Sequence, residues 1–211
     1  MYFPKKLTPN EDGIIAIGGS MAPDVLIEAY SRGIFPWPHD DYPLLWFYPL
    51  ERGILFFNKF HISKSMKKFL KKCPWTITWD KDFSAVIKNC AKIPRPNQKG
   101  TWINDEVLQS YIEFHKKGYA HSIEVWEGDS LVGGVYGVFV NNIFSAESMF
   151  YLKSNASKVA LYYLIQKLKS LNLEWIDVQM VTEITEQFGA EYISHLEYSK
   201  LLKRSQVVTK V

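Results

Sequence analysis

The sequence predicts an α+β fold: a small N-terminal domain followed by a larger one in which helices pack on a mixed, mainly antiparallel sheet. Three observations predict it. "AHSIEVWEGDSLVGGVYGVFVNNIFSAESMFY" holds three alternating segments joined by EGD and NN turns, the pattern of a β-meander. A long helical segment and another alternating strand, "LEWIDVQM", follow, an order that suits helices laid on a mixed sheet. The first 55 or so residues are instead dense in Pro, Gly and aromatics, which suits a small appendage packed on something larger. The domains are therefore expected at 1–56 and 57–211.

Taken in order, the first element is a helix with Pro23 in its first turn. Ser20 or Ala22 sits near the cap, Val25, Leu26, Ala29 and Tyr30 share one face, and Gly33 ends it. Pro36, Pro38, Pro43 and Pro49 forbid long regular elements after that. "ISKSMKKFLKK" reads as an amphipathic helix, with Ile62, Met66, Phe69 and Leu70 on one face and lysines on the rest; Pro74 stops it. "WTITWD" is a strand, "FSAVIKNCAKI" a helix and "PRPNQKG" a loop. "INDEVLQSYIEFHKKG" is a helix capped by Asn104 and closed at Gly118. After the meander, Ser154 or Asn155 caps "ASKVALYYLIQKLKSLN". The strand "LEWIDVQM" and a helix-like "TEITEQFG" follow, and the tail adds a strand and a short helix.

With 47% apolar residues, the 211-residue chain has enough to bury a core, so disorder is excluded. The two cysteines, Cys73 and Cys90, have no CxxC spacing and no partner histidines nearby, as expected of intracellular thiols rather than a disulfide or zinc framework. The N-terminus "MYFPKKLTPNEDG" has no apolar run of a signal peptide. No apolar run approaches the ~18 residues of a membrane helix. A cytoplasmic protein without a membrane partner is expected. His39, His61, His115, His121 and His195 form no metal-ligand spacing, so no metal is expected.

From Arg52 to Trp79 there are seven basic residues and no acidic one. The plain reading is a solvated helix face. The functional one is a phosphate-contacting surface, favoured by the absence of acidic partners and by Trp75, Trp79 and Trp102 nearby in sequence. "LVGGVYGVF" is not a GxGxxG loop. Its glycines suit a bulged or kinked strand, or the close approach of a ligand. In "FSAESMF", alternation puts Ala146, Ser148 and Phe150 on one side and Ser145, Glu147 and Met149 on the other. Glu147 is then either a solvent-facing carboxylate or an acceptor for a cation. In "LEWIDVQM", Ile176, Val178 and Met180 form an apolar face, while Trp175, Asp177 and Gln179 form the other. "SNASK" is a good N-cap or a helix start that presents N–H groups to a ligand. No GxSxG, Cys/His pair or HExxH appears, so no covalent nucleophile is expected.

Nine pieces in order, "AIGG…P…AY..GIFPWP", "LLWFYPLERGIL", "HISKSMKK", "TWI", "GYAHSIEVW", "LVGGVYGV", "FSAESMF", "NASKVAL" and "IDVQ", resemble the leucyl/phenylalanyl-tRNA–protein transferases. The resemblance runs from about residue 11 to about residue 200. It implies a C-terminal domain like the GNAT acyltransferases. It also implies transfer of Leu, Phe or, less readily, Met from aminoacyl-tRNA to proteins with N-terminal Lys or Arg, marking them for N-end-rule degradation, without a cofactor. By the same resemblance, Val135, Phe144, Met149, Leu161, Leu164 and Ile176 form the pocket for the transferred side chain. Trp46 and Trp102 stack the terminal adenosine, and Lys64, Lys67, Lys68, Lys71 and Lys72 face the acceptor stem. Asp177 and Gln179 are the catalytic pair, facing the ester, with Glu147 as a third catalytic group. Family members often carry Met where Val135 stands and His where Ile184 stands, so Ile184 takes no polar role. The same fold also hosts acyl-CoA-dependent N-acetyltransferases, but these need a glycine-rich pyrophosphate loop where this chain has "SNASKVAL". A plain RNA-binding module explains the lysines and leaves the pair and the pocket without purpose. A monomer is expected.

Overall fold

The computed structural model describes residues 2–39, 42–93 and 101–207. The expected loop "PRPNQKG" lies outside them. Two sheets carry the fold. A three-stranded antiparallel sheet, ordered β1-β3-β2, is built from β1 (Ile14–Ile17), β2 (Phe35–His39) and β3 (Tyr42–Phe47). The prolines keep these strands short, as expected. A seven-stranded sheet takes β4 (Glu51–Phe56), β5 (Thr76–Trp79), β6 (Ala120–Glu127), β7 (Ser130–Val140), β8 (Ile143–Tyr151), β9 (Trp175–Gln179) and β10 (Glu191–Ser194). Its order is β10-β4-β9-β8-β7-β6-β5, and every pairing is antiparallel except β8 with β9. The class is thus the expected α+β one, with a mixed, mainly antiparallel sheet. β4 lies in the segment expected to be the N-terminal domain, yet its partners β9 and β10 place it inside the larger sheet.

Local chemistry sets the helices. α1 (Pro23–Ser31) starts on its proline, buries Val25, Leu26, Ala29 and Tyr30, and ends before Gly33, whose φ is +75°. α2 (Lys64–Leu70) is capped by Ser63, whose hydroxyl accepts from the Met66 N–H. α3 (Phe83–Lys92) and α4 (Asp105–Lys116) are capped in the same way by Asp82 and Asn104. α5 (Ala156–Ser170) follows Asn155, which stands in the left-handed region and makes no side-chain cap bond. α6 (Glu183–Gln187) and the 13-residue α7 (His195–Val207) close the chain.

The sheet divides the core in two. α5 covers one face over a cluster that includes Val125, Val135, Phe144, Leu164 and Ile176. α1, α3 and α4 lie on the other face, where Tyr30, Val86, Phe114, Tyr136 and Trp175 share a cluster with the N-terminal sheet. Among the described residues, no helix is long and apolar enough to cross a membrane.

Candidate active site

The parallel pair β8 and β9 meets at one register pair only, Ser145 opposite Asp177. Among the described residues no further β8–β9 pair follows it, and it is there that the side chains of Glu147 and Gln179 meet. Alternation of β9 suggests one apolar and one polar face, but all five of its residues are buried, because both sides of the sheet are covered. Met180, expected to continue the apolar face, lies past the strand end and is exposed.

Asp177 is fully buried, at 0% exposure. Its Oδ1 accepts from Arg52 Nε at 2.8 Å and from the Gln179 N–H at 2.9 Å. Its Oδ2 accepts from Arg52 Nη2 at 2.6 Å, from the Tyr198 hydroxyl at 2.7 Å and from Ser145 Oγ at 3.4 Å. A buried carboxylate needs such saturation, since nothing else replaces its water. Arg52, on β4, is 1% exposed and lies over the rings of Phe35 and Tyr198, at 4.6 and 4.7 Å from their centroids. Burial pulls its pKa down, but the charge of Asp177 outweighs it and holds the guanidinium above its usual range. The expectation that Asp177 faces the ester is corrected: its carboxylate is turned into this ion pair, with no surface left for a substrate.

Gln179 stands at φ +60°, a region a residue with a Cβ rarely occupies. The chain turns sharply there, with the Met180 N–H on the Val178 carbonyl at 2.6 Å. The turn folds over Gly53 of β4, where an added Cβ would lie 2.9 Å from the Met180 carbonyl carbon. Gln179 Nε2 then reaches from β9 to β8 and donates to Glu147 Oε1 at 2.8 Å. That leaves the amide oxygen as the acceptor.

Glu147 reaches this position through a β-bulge. Pairing passes from Tyr136–Ser148 directly to Gly137–Ala146, so Glu147 is the extra residue on β8. The bulge breaks the expected alternation. Met149 packs into the α5-side cluster, while Glu147 joins Ser145 and Asp177 on the other side. Gly137 is part of this geometry: a Cβ there would fall 2.3 Å from the Ser145 carbonyl oxygen. Glu147 is half-buried, and the Tyr111 hydroxyl points at its Oε2 from 3.4 Å. Tyr30 bonds both Glu147 and the Tyr111 hydroxyl. Burial pushes the Glu147 pKa up to about 8, and the negative Asp177 adds to the push. The Tyr30 hydroxyl, the Arg52 charge and the Gln179 amide pull the other way. Burial also raises Tyr30 and Tyr111, so both stay protonated donors.

The aromatic platform differs from the expected one. Trp46 is 1% exposed, its indole N–H donates to the Gly18 carbonyl at 2.9 Å, and Phe3 meets it edge-on with centroids 4.9 Å apart. It is a core residue with no free face for a base. Trp102 instead stacks on Trp37, centroids 6.3 Å apart at 28°, and both are half-buried. Trp102 also meets Tyr111 edge-on, which ties the platform to Glu147.

The six expected pocket residues share the α5-side cluster. Val135, Phe144, Leu161, Leu164 and Ile176 are buried, and Met149, opposite Val135 on the neighbouring strand, is partly exposed. On α2, Met66 is buried and Phe69 and Leu70 pack partly, as does Ile62 just before the helix, which is therefore shorter than expected; Lys64, Lys67 and Lys68 on it and Lys71 and Lys72 just after it are all exposed. A cleft of about 450 Å³ separates α2 from the start of α5, lined by His61, Ser63, Asn155, Lys158 and Phe188. Among the described residues no group of three His, Cys, Asp or Glu converges as a metal site.

Sequence reasoning missed Arg52, Tyr198, Tyr30, Tyr111 and Trp37. Arg52 and Trp37 stand inside quoted motifs, "LLWFYPLERGIL" and "GIFPWP", where a charge beside glycine and a ring between prolines were available signals. The tyrosines carry no local signal.

The family described as leucyl/phenylalanyl-tRNA protein transferase matches residues 54–203, and its N-terminal domain matches residues 19–50. The leucyl/phenylalanyl-tRNA–protein transferase of Lawsonia intracellularis is 45% identical over 198 residues, covering 94% of this chain and 87% of that one. The enzyme of that name from Flavobacterium johnsoniae is 43% identical over 203 residues, 96% of each chain. The solved structure of L-PGS from Bacillus licheniformis is a distant likeness, with a TM-score of 0.45 at 12% identity over 88% of this chain and 70% of that one.

Proposed function

Because the chain belongs to the leucyl/phenylalanyl-tRNA–protein transferase family, and so is an aminoacyltransferase from tRNA to protein, we propose that Gln179 and Glu147 together receive the attacking amine. The donors are Leu-, Phe- and, less readily, Met-tRNA. The acceptors are proteins with N-terminal Lys or Arg, which the added residue marks for N-end-rule degradation. The enzyme works in the cytoplasm, as a monomer and without a cofactor.

The observation that carries this reading is the hydrogen bond from Gln179 to Glu147, between β9 and β8 just past their one register pair. The reaction forms a C–N bond to the acceptor's α-amine and breaks the ester C–O bond. The amine nitrogen gives up a proton and the ribose oxygen gains one. Gln179 does not titrate near neutral pH, so it holds rather than takes the proton: its oxygen accepts from the amine N–H. Glu147 supplies the proton acceptor. Its pKa of about 8 matches the ~7.7–8.0 of an α-amine, so transfer between them is close to thermoneutral. Its carboxylate form also attracts the cationic acceptor residue.

The remaining parts are arranged around the same two residues. The transferred side chain enters the α5-side apolar cluster past Met149. The terminal adenosine stacks on the Trp37–Trp102 pair. The exposed lysines of α2 meet acceptor-stem phosphates. The test is transfer of labelled Phe or Leu from charged tRNA onto a peptide beginning with Arg. Transfer to that peptide but not to one beginning with Ala is expected. No transfer from either donor overturns the reading, and a Gln179→Ala enzyme with an unchanged single-turnover rate removes the amide from it.

A further inference from the structure

We propose that Arg52 and Tyr198 are positioning residues for aminoacyl transfer, acting through Asp177 on the backbone of Gln179. The inference rests on the reading of Gln179 as the group that meets the amine. Asp177 cannot touch a substrate, since it is buried with both oxygens occupied. What it holds is the N–H of Gln179, two residues on, at 2.9 Å. That bond closes a side-chain-to-backbone turn and fixes Gln179 in its left-handed conformation. Released from it, Gln179 relaxes toward extended backbone, which any residue with a Cβ prefers, and its amide leaves Glu147.

A carboxylate holds its own strand's N–H only if its plane is set. Arg52 sets it with two parallel bonds from one fork, 2.8 and 2.6 Å long. Tyr198 acts twice. Its ring lies under the guanidinium, and its hydroxyl binds Oδ2. Space for that ring depends on Gly33, where a Cβ would lie 2.5 Å from Tyr198 Cε1. The third arm of the fork, Arg52 Nη1, is buried with no hydrogen-bond partner among the described residues. Through Tyr198, the C-terminal helix α7 is part of the active-site support.

The test compares Tyr198→Phe, which keeps the ring and removes the hydroxyl, with Arg52→Lys, which keeps the charge and removes the fork. Transfer of Phe from Phe-tRNA to a peptide beginning with Arg is followed, with the Gln179 amide resonance read in the same variants. Tyr198→Phe is expected to lose about tenfold in kcat, the effect of one charge-assisted hydrogen bond. Arg52→Lys is expected to lose about 100-fold, with KM for both substrates unchanged and the Gln179 resonance displaced in both. If Arg52→Lys does not fold, Tyr198→Phe decides. A wild-type chain that transfers nothing overturns the reading of the site and this inference with it. A wild-type chain that transfers, with Tyr198→Phe at full kcat or with the Gln179 resonance unmoved, overturns the positioning roles alone.

Discussion

Glu147→Gln is the substitution with the most to say, because it separates stability from activity by pH. The folded carboxyl is pushed from 4.5 to about 8, chiefly by burial. Between those values the folded chain binds a proton that the unfolded chain has released. Stability therefore falls as pH rises through this window, the reverse of the usual carboxylate case, and is level again above about 8. At 1.36 kcal/mol per unit the wild type gives up about 3–6 kcal/mol across it. Gln is the same shape as the protonated acid and has no charge to bury. The variant should match the wild type near pH 5 and exceed it by that amount near pH 9, read as urea midpoints at constant m. Transfer should move the other way. Wild-type kcat/KM rises as Glu147 deprotonates toward pH 8, while the variant loses roughly 100- to 10,000-fold and that rise with it. Parallel stability curves for the two proteins would refute the half-buried, proton-holding Glu147, and an active variant would refute its part in the chemistry.

The aromatic pairs give a contrast. Trp37→Ala and Trp102→Ala should each lose ~1–3 kcal/mol of aminoacyl-tRNA affinity with the fold intact. Trp46→Ala should instead destabilise the protein by ~3–5 kcal/mol in thermal or urea unfolding. Replacing Lys64, Lys67 and Lys68 by Ala should lower the slope of log affinity against log salt by about 2, measured by tRNA binding at several salt concentrations. Val135→Met should narrow the apolar cluster and shift the ratio of Phe to Leu transfer toward Leu; unchanged ratios would show that this position does not set the preference.

What could be read from the sequence is what neighbouring residues decide. Ser63, Asp82 and Asn104 cap helices from three residues away, and the NN turn joins β7 to β8 with both asparagines at positive φ. The buried face of α1 lies where periodicity put it, and so do Met66, Phe69 and Leu70 of α2, although Ile62 falls before that helix starts. What could not be read depends on distance or on a break in period. Arg52 and Asp177 are 125 residues apart, and no local pattern pairs them. Alternation through "FSAESMF" gives Glu147 and Met149 one face, and a single extra residue at the bulge separates them. Trp46 and Trp37 differ by which one the chain's start covers, and Phe3 makes that choice. The site residues Asp177, Gln179 and Glu147 came from the family resemblance; their burial and mutual bonds came from tertiary structure.

The ion pair beneath the site also predicts how stability and activity come apart. Asp177→Leu alone leaves a guanidinium buried and unpaired, at a cost of ~3–5 kcal/mol. Arg52→Met alone leaves the carboxylate with Tyr198, Ser145 and the Gln179 N–H, but without its counter-charge. Together the two substitutions remove both charges and keep apolar bulk between Phe35 and Tyr198. The donors left over, the Tyr198 and Ser145 hydroxyls and the Gln179 N–H, cost up to ~1–3 kcal/mol each. The double variant should therefore be less destabilised than the sum of the two single variants, with a coupling of at least ~2 kcal/mol. It should still transfer poorly, because nothing then holds Gln179 in its left-handed turn. Unfolding free energies of the four proteins and single-turnover transfer by the same preparations supply both numbers. Additive losses in stability would mean that the pair is not coupled as drawn. A double variant that folds and transfers at the wild-type rate would mean that Gln179 keeps its conformation without Asp177, and the link from the buried pair to the chemistry would be lost.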